Sequence, residues 1–83
     1  MPTVAIVDGV KIQIFFADHA PPHFHVDFGG YQAQIVIKTL EIIEGEFPSA
    51  KLRKVREWAR PRRKALLAAW ALASVRRNPG KVS

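Results

Sequence analysis

The 83-residue chain contains no cysteine. That excludes disulfides, thiolate catalysis and cysteine-based zinc sites, and it leaves any metal chemistry to histidine and carboxylate. A long apolar run is also missing: the longest nearly apolar stretch, Ala65 to Val75, falls far short of the ~20 residues that span a bilayer as a helix. With no basic-then-apolar leader at its start, the chain is expected to have no membrane role and a cytoplasmic location. Acidic residues are scarce in one half only. After Pro48 the single Glu57 stands against eleven Lys or Arg, a net +10, whereas residues 1–47 carry Lys11 and Lys38 against six Asp or Glu, a net −4. Such an asymmetry inside an overall charge of +6 suits a basic face that attracts phosphates or an acidic partner, and equally suits a well-solvated helical surface.

At 48% hydrophobic residues, the chain fits one domain spanning residues 1–83, with roughly 60% of its unfolded surface buried and therefore a small core. Thr3 to Val7 and Val10 to Ala17 are β-branched and aromatic-rich, and Asp8-Gly9 between them suits a type I′ turn. This register pairs Val7 with Val10, Ala5 with Ile12 and Thr3 with Ile14. A second hairpin follows, in which His23 to Phe28 alternates strictly and Gly29-Gly30 supplies the turn. Its register sets Phe28 against Tyr31, Val26 against Ala33 and Phe24 against Ile35 on one face, with His23, His25 and Asp27 on a mostly polar second face. Leu40 to Glu44 reads as a short fifth strand, which ends the β region of about residues 3–44.

Helical spacing begins at Leu52, Val55, Trp58 and Ala59, with Ser49 as an N-cap and a first helix over about 49–59. Pro61 marks a boundary or a kink. A second helix over about 61–77 follows, stopped by Asn78-Pro79-Gly80, with 78–83 as a tail. This second helix is apolar almost all round, which implies burial on more than one side, inside the monomer or against a homodimer or protein partner. The expected architecture is α+β: an antiparallel sheet of four to five strands, built from two hairpins, followed by two C-terminal helices that cover one face.

The candidate chemistry is concentrated at one point. All three histidines lie in Asp18-His19-Ala20-Pro21-Pro22-His23-Phe24-His25, and the paired prolines stiffen the approach to the second hairpin. Three functional classes follow. His23, His25 and Asp27 project from one strand face, and Asp18 or His19 can complete a shell for zinc or another divalent metal. Alternatively, His23 and His25 serve as general acid and base in a ribonuclease, because imidazoles titrate near neutrality. Third, the basic helices bind RNA or DNA through Arg56, Arg60, Arg62, Arg63 and Lys64, although no aromatic RNP-type signature accompanies them. Whether the protein is an enzyme stays open at this level.

The chain also resembles a small bacterial family, the domain of unknown function 4160 family. The resemblance is carried by Asp18-His19 with Pro21-Pro22-His23-Phe24-His25, by Glu44-Gly45 before Pro48, by Val55 with Glu57-Trp58-Ala59, and by Arg63, Leu66-Leu67 and Trp70. It covers about Gly9 to Trp70. Members of this family tend to be encoded beside another short protein, an arrangement that resembles toxin–antitoxin pairs. The resemblance therefore implies a partner-binding module with an adjacent-gene protein as its partner. Where the family carries acidic residues in the second helix, this chain has Arg62, Arg63 and Lys64.

Overall fold

A computed structural model describes residues 3–83 of the protein. Five strands, β1 (Thr3–Val7), β2 (Val10–Gln13), β3 (His23–Phe28), β4 (Tyr31–Val36) and β5 (Ile42–Gly45), form one antiparallel meander in the order β1-β2-β3-β4-β5. One helical run of 26 residues follows, from Ser49 to Ser74. The α+β expectation holds, and the fifth strand is present.

The turns set the register as expected. Asp8 and Gly9 sit at φ +50° and +82°, the two positive values that a type I′ turn requires. Val7 accordingly faces Val10 and Ala5 faces Ile12, but a bulge then shifts Thr3 onto Gln13 rather than Ile14. In the second hairpin the three predicted pairs are present, and the same register sets His23 opposite Val36, His25 opposite Gln34 and Asp27 opposite Gln32. The fifth strand starts at Ile42 rather than Leu40: Leu40 is held at φ +62°, outside strand geometry, and is buried.

The expectation of two separate helices is corrected. α1 (Ser49–Ala59) and α2 (Arg63–Ser74) are joined by a 3-10 turn over Arg60–Arg62. Pro61 lies at the start of that turn, a first-turn position that tolerates the missing N–H, and the Arg62 side chain donates to Trp58 O there, so the run continues. Its buried residues, Leu52, Val55, Ala59, Leu66, Ala69 and Ala73, keep the alternating three-and-four spacing of one apolar stripe across the joint, with Arg62 at the intervening step. Ser49 is the first helical residue rather than a cap; Pro48 stands at the N-cap with no side-chain hydrogen bond. At the other end the helix stops at Ser74, short of residue 77. Arg76 turns to φ +61°, its N–H donates to Ala73 O (3.0 Å) and that of Arg77 donates to Leu72 O (2.9 Å), the two bonds of a Schellman motif.

The stripe packs on the apolar sheet face, where Val10, Ile12, Ile14, Phe24, Val26, Ala33, Ile35 and Ile37 are buried. α2 is thus buried along one stripe only, and Leu67 and Leu72 are 41% and 40% exposed. That corrects the expectation of burial on several sides within the monomer. Residues beyond the helix return to the sheet: Val82 N–H donates to Val4 O (2.8 Å) and Lys81 Nζ to Thr3 O (2.9 Å), covering the edge of β1 that an unpaired strand would expose. The opposite sheet face is open and polar. No helix is long and apolar enough to cross a membrane among the described residues.

Candidate functional site

The segment between β2 and β3 brings the site together. Ala17, at φ +53°, donates its N–H to Ala73 O at the C-terminal end of α2 (3.0 Å). This tether fixes the residue before Asp18 and folds the loop back over the start of β3. At the other end of the loop, Ile37 N–H donates to Pro22 O (3.1 Å), which extends the β3–β4 ladder to the prolines. Asp18 is thereby held against the first two histidine positions of the strand.

The contacts are short. Asp18 Oδ2 lies 2.9 Å from His23 Nε2 and 3.1 Å from His25 Nε2. The donor atoms of Asp18, His23 and His25 all lie within 4.8 Å of one another. For a tetrahedral divalent ion with bonds near 2.1 Å, ligand atoms stand ~3.4 Å apart, so these separations bracket the required spacing. Asp18 and His25 side chains are 16% and 17% exposed, and His23 is buried. His23 is packed beneath the loop with its ring centroid 5.0 Å from Trp70. His25 stacks on Phe15 at 3.8 Å with an interplanar angle of 9°.

The bonding of His23 decides what its second nitrogen can do. Nδ1 lies 2.7 Å from Pro21 O, and a carbonyl only accepts, so Nδ1 carries the hydrogen. In the neutral ring Nε2 is then bare, with its lone pair facing the cluster. That atom is buried and makes no hydrogen bond among the described residues, although Asp18 Oδ2 stands 2.9 Å away. An imidazole whose Nδ1–H is held by a backbone carbonyl while Nε2 is left without a hydrogen bond has the arrangement that metal-ligating histidines adopt. Burial raises the Asp18 carboxyl, but the hydrogen bond from His25, the His19 amide and the charges of His23 and His25 outweigh it, leaving the carboxyl below its ordinary value.

Of the candidates His23, His25, Asp27, His19 and Asp18, the fold brings Asp18, His23 and His25 together. Asp27 stays on the open sheet face, opposite Lys11 and Gln32. His19 donates its backbone N–H to Asp18 Oδ1 (3.0 Å), but its side chain is 94% exposed and reaches the same oxygen only at 3.5 Å. His23 is the sole buried polar residue among those described, against the expectation of a surface histidine. Of the aromatic residues beside the two rings, Trp70 stood out in the sequence as an apolar helix position, and Phe15 carried no signal in its spacing.

Beside His25 the open face forms a concavity of about 600 Å3, lined among others by Gln13, Gln32, Gln34, Asp27 and Glu44 and by no Lys or Arg. The basic residues are held elsewhere. Arg56 Nε donates to Leu40 O (2.9 Å), and Arg62 donates to Trp58 O (2.7 Å) and Ser83 O (3.1 Å) while lying 5.2 Å from the Trp58 ring. Arg63 contacts Arg60 O at 3.5 Å, the long limit of a hydrogen bond, and its Nε is buried without a partner. Arg60 and Lys64 are exposed. Three of the five predicted nucleic-acid contacts are thus engaged with backbone carbonyls.

No curated protein and no solved structure matches the chain. The loop, the histidine strand, the Gly45 end of β5 and the helical run to Trp70 all fall within residues 9–71, which match one family, and the chain belongs to it: the family described as Domain of unknown function (DUF4160).

Proposed function

We propose that this is a divalent-metal-binding protein whose ion is held by Asp18, His23 and His25. One observation carries the reading: His23 Nε2 is buried and without a hydrogen bond on a ring whose other nitrogen is engaged by Pro21 O, and it lies within 2.9 Å of a carboxylate shared with a second imidazole. A borderline-soft ion such as zinc suits two imidazoles and one carboxylate, with a further position left for water or an exogenous group. Calorimetric titration of chelator-treated, untagged protein with Zn²⁺ tests it. One equivalent is expected to bind, and Asp18→Asn, His23→Asn and His25→Asn each lose that event while Asp27→Asn keeps it. Substoichiometric or absent binding by the folded wild type overturns the reading.

A second reading is nucleic-acid contact within a partner-linked, toxin–antitoxin-like role, and exposed charge favours it. Arg53, Lys54, Arg60, Lys64, Arg76 and Arg77 are exposed, and Glu57 is the single acidic residue after Pro48. It requires RNA or DNA binding that weakens steeply with salt and falls when Arg60 and Lys64 are neutralised. Cleavage by His23 and His25 has less support: the concavity beside His25 carries Asp27 and Glu44 and no basic residue, which disfavours a phosphate there.

A further inference from the structure

Along α2, Lys64, Leu67 and Ala71 recur at helical spacing and are all exposed, with exposed Arg60 four residues before Lys64 in the 3-10 turn, so α2 presents them on one face. Leu67 on this face forms a wall of a cleft of about 370 Å3, closed by Pro21, Pro22 and Val36 and bordered by Lys38 and Thr39. The cleft is apolar between its walls, with Lys38 at its edge on the sheet side, and exposed Lys64 stands one turn before Leu67 on α2. From Trp58 to Ser83 the chain contains no Asp or Glu, and Glu57, the one acidic residue of the helical run, lies 4.0 Å from Arg53.

We propose that this cleft docks an acidic amphipathic segment of another protein. One bulky apolar side chain seats between Leu67 and Pro21-Pro22, and flanking carboxylates meet Lys38, Lys64 and Arg60. Charge complementarity selects this occupant. A second copy presenting the same face would set like charges together, because an isologous contact repeats the same patch on both sides. Nucleic acid would need base-stacking rings or a run of donors within the cleft, and its lining contains no aromatic residue. A membrane surface takes an apolar face that projects, whereas here the apolar surface is recessed between two prolines and a leucine. The proposal is independent of the metal site.

Selection from a displayed library of random 16-residue peptides on the immobilised full chain tests it without presuming a sequence. Enriched peptides are expected to carry Asp or Glu around one Leu, Ile, Phe or Trp. By fluorescence anisotropy, Leu67→Asp should weaken them at least tenfold, and the double change Lys38→Glu with Lys64→Glu should weaken them at least tenfold and flatten their salt dependence. The three changed positions are exposed, and circular dichroism checks that each variant keeps its fold; the charge-reversal pair stands alone if Leu67→Asp does not. The proposal is overturned by enrichment without acidic and apolar bias, by no enrichment, or by binding that survives both variants. It is equally overturned if phosphatidylglycerol vesicles or a 20-nucleotide RNA, rather than peptides, bind through these residues.

Discussion

Gly45 gives a perturbation whose size can be worked out beforehand. It closes β5 opposite Ala33 at φ +87°, and an added Cβ would fall on the Gln32 carbonyl oxygen and 2.9 Å from Ala33 Cα. Both neighbours are backbone atoms of β4, which is paired on both sides, and cannot swing aside. Gly30, in the second hairpin turn, has nearly the same conformation, φ +88°, with no atom within 4 Å of such a Cβ. Gly30→Ala therefore costs the left-handed strain alone, about 1 kcal/mol net of the stiffer unfolded chain. Gly45→Ala adds overpacking of roughly 1–3 kcal/mol, for a total near 3 kcal/mol. With an unfolding entropy of ~2.1 cal/mol/K per residue, a chain of this length loses about 6 °C in Tm per kcal/mol. The expected losses are roughly 6 °C for Gly30→Ala and 17 °C for Gly45→Ala, read by calorimetry or circular dichroism. Equal losses in the two variants would refute the steric argument and with it the close approach of β5 to β4.

The remaining predictions concern charge and the helical run. Lys51 Nζ donates to Asp8 O (2.8 Å) and Asp8 Oδ2 (3.0 Å) and lies 4.6 Å from the Phe28 ring centroid, and its hydrogen bond and charge hold the Asp8 carboxyl below its ordinary value of 3.8. A depressed carboxyl contributes stability above the unfolded value and loses it as pH falls through the folded one; Lys51→Met should thus lower Tm at pH 6 and converge with the wild type in acid. In metal-free protein the same sign applies to Asp18, so the Tm gap between wild type and Asp18→Asn should narrow on acidification below about pH 4; a constant gap would contradict it. Arg62→Ala should cost about 1–2 kcal/mol in urea unfolding, because it frees the Trp58 and Ser83 carbonyls. Arg60→Ala should stay within about 0.5 kcal/mol.

Both hairpins were legible in the sequence because two-residue turns fix register rigidly and strand alternation does the rest. The second hairpin matches pair by pair; the first departs only where a bulge intervenes at Thr3. The helical joint was misread because Pro61 forbids an interior helical bond but not a 3-10 turn entered at its first positions. The C-terminal stop came early because Arg76 adopts the left-handed conformation usually left to glycine. At the site, alternation correctly set His23 and His25 on one face and wrongly suggested Asp27 as their companion. Asp18, already a candidate to complete the shell, lies against them instead, beside the Ala17 to Ala73 tether, a contact across more than fifty residues that no local pattern encodes.

The central claim is that His23 Nε2, His25 Nε2 and Asp18 together receive a divalent ion. Long-range ¹H–¹⁵N NMR of the imidazoles tests it most directly, recorded on chelator-treated protein at neutral pH and again with one equivalent of Zn²⁺. The account predicts that His23 carries its hydrogen on Nδ1 throughout, and that the Nε2 signals of His23 and His25 move together and saturate at one equivalent while the exposed His19 stays unchanged. Signals of His23 and His25 that do not move, or a shift confined to His19, would contradict it.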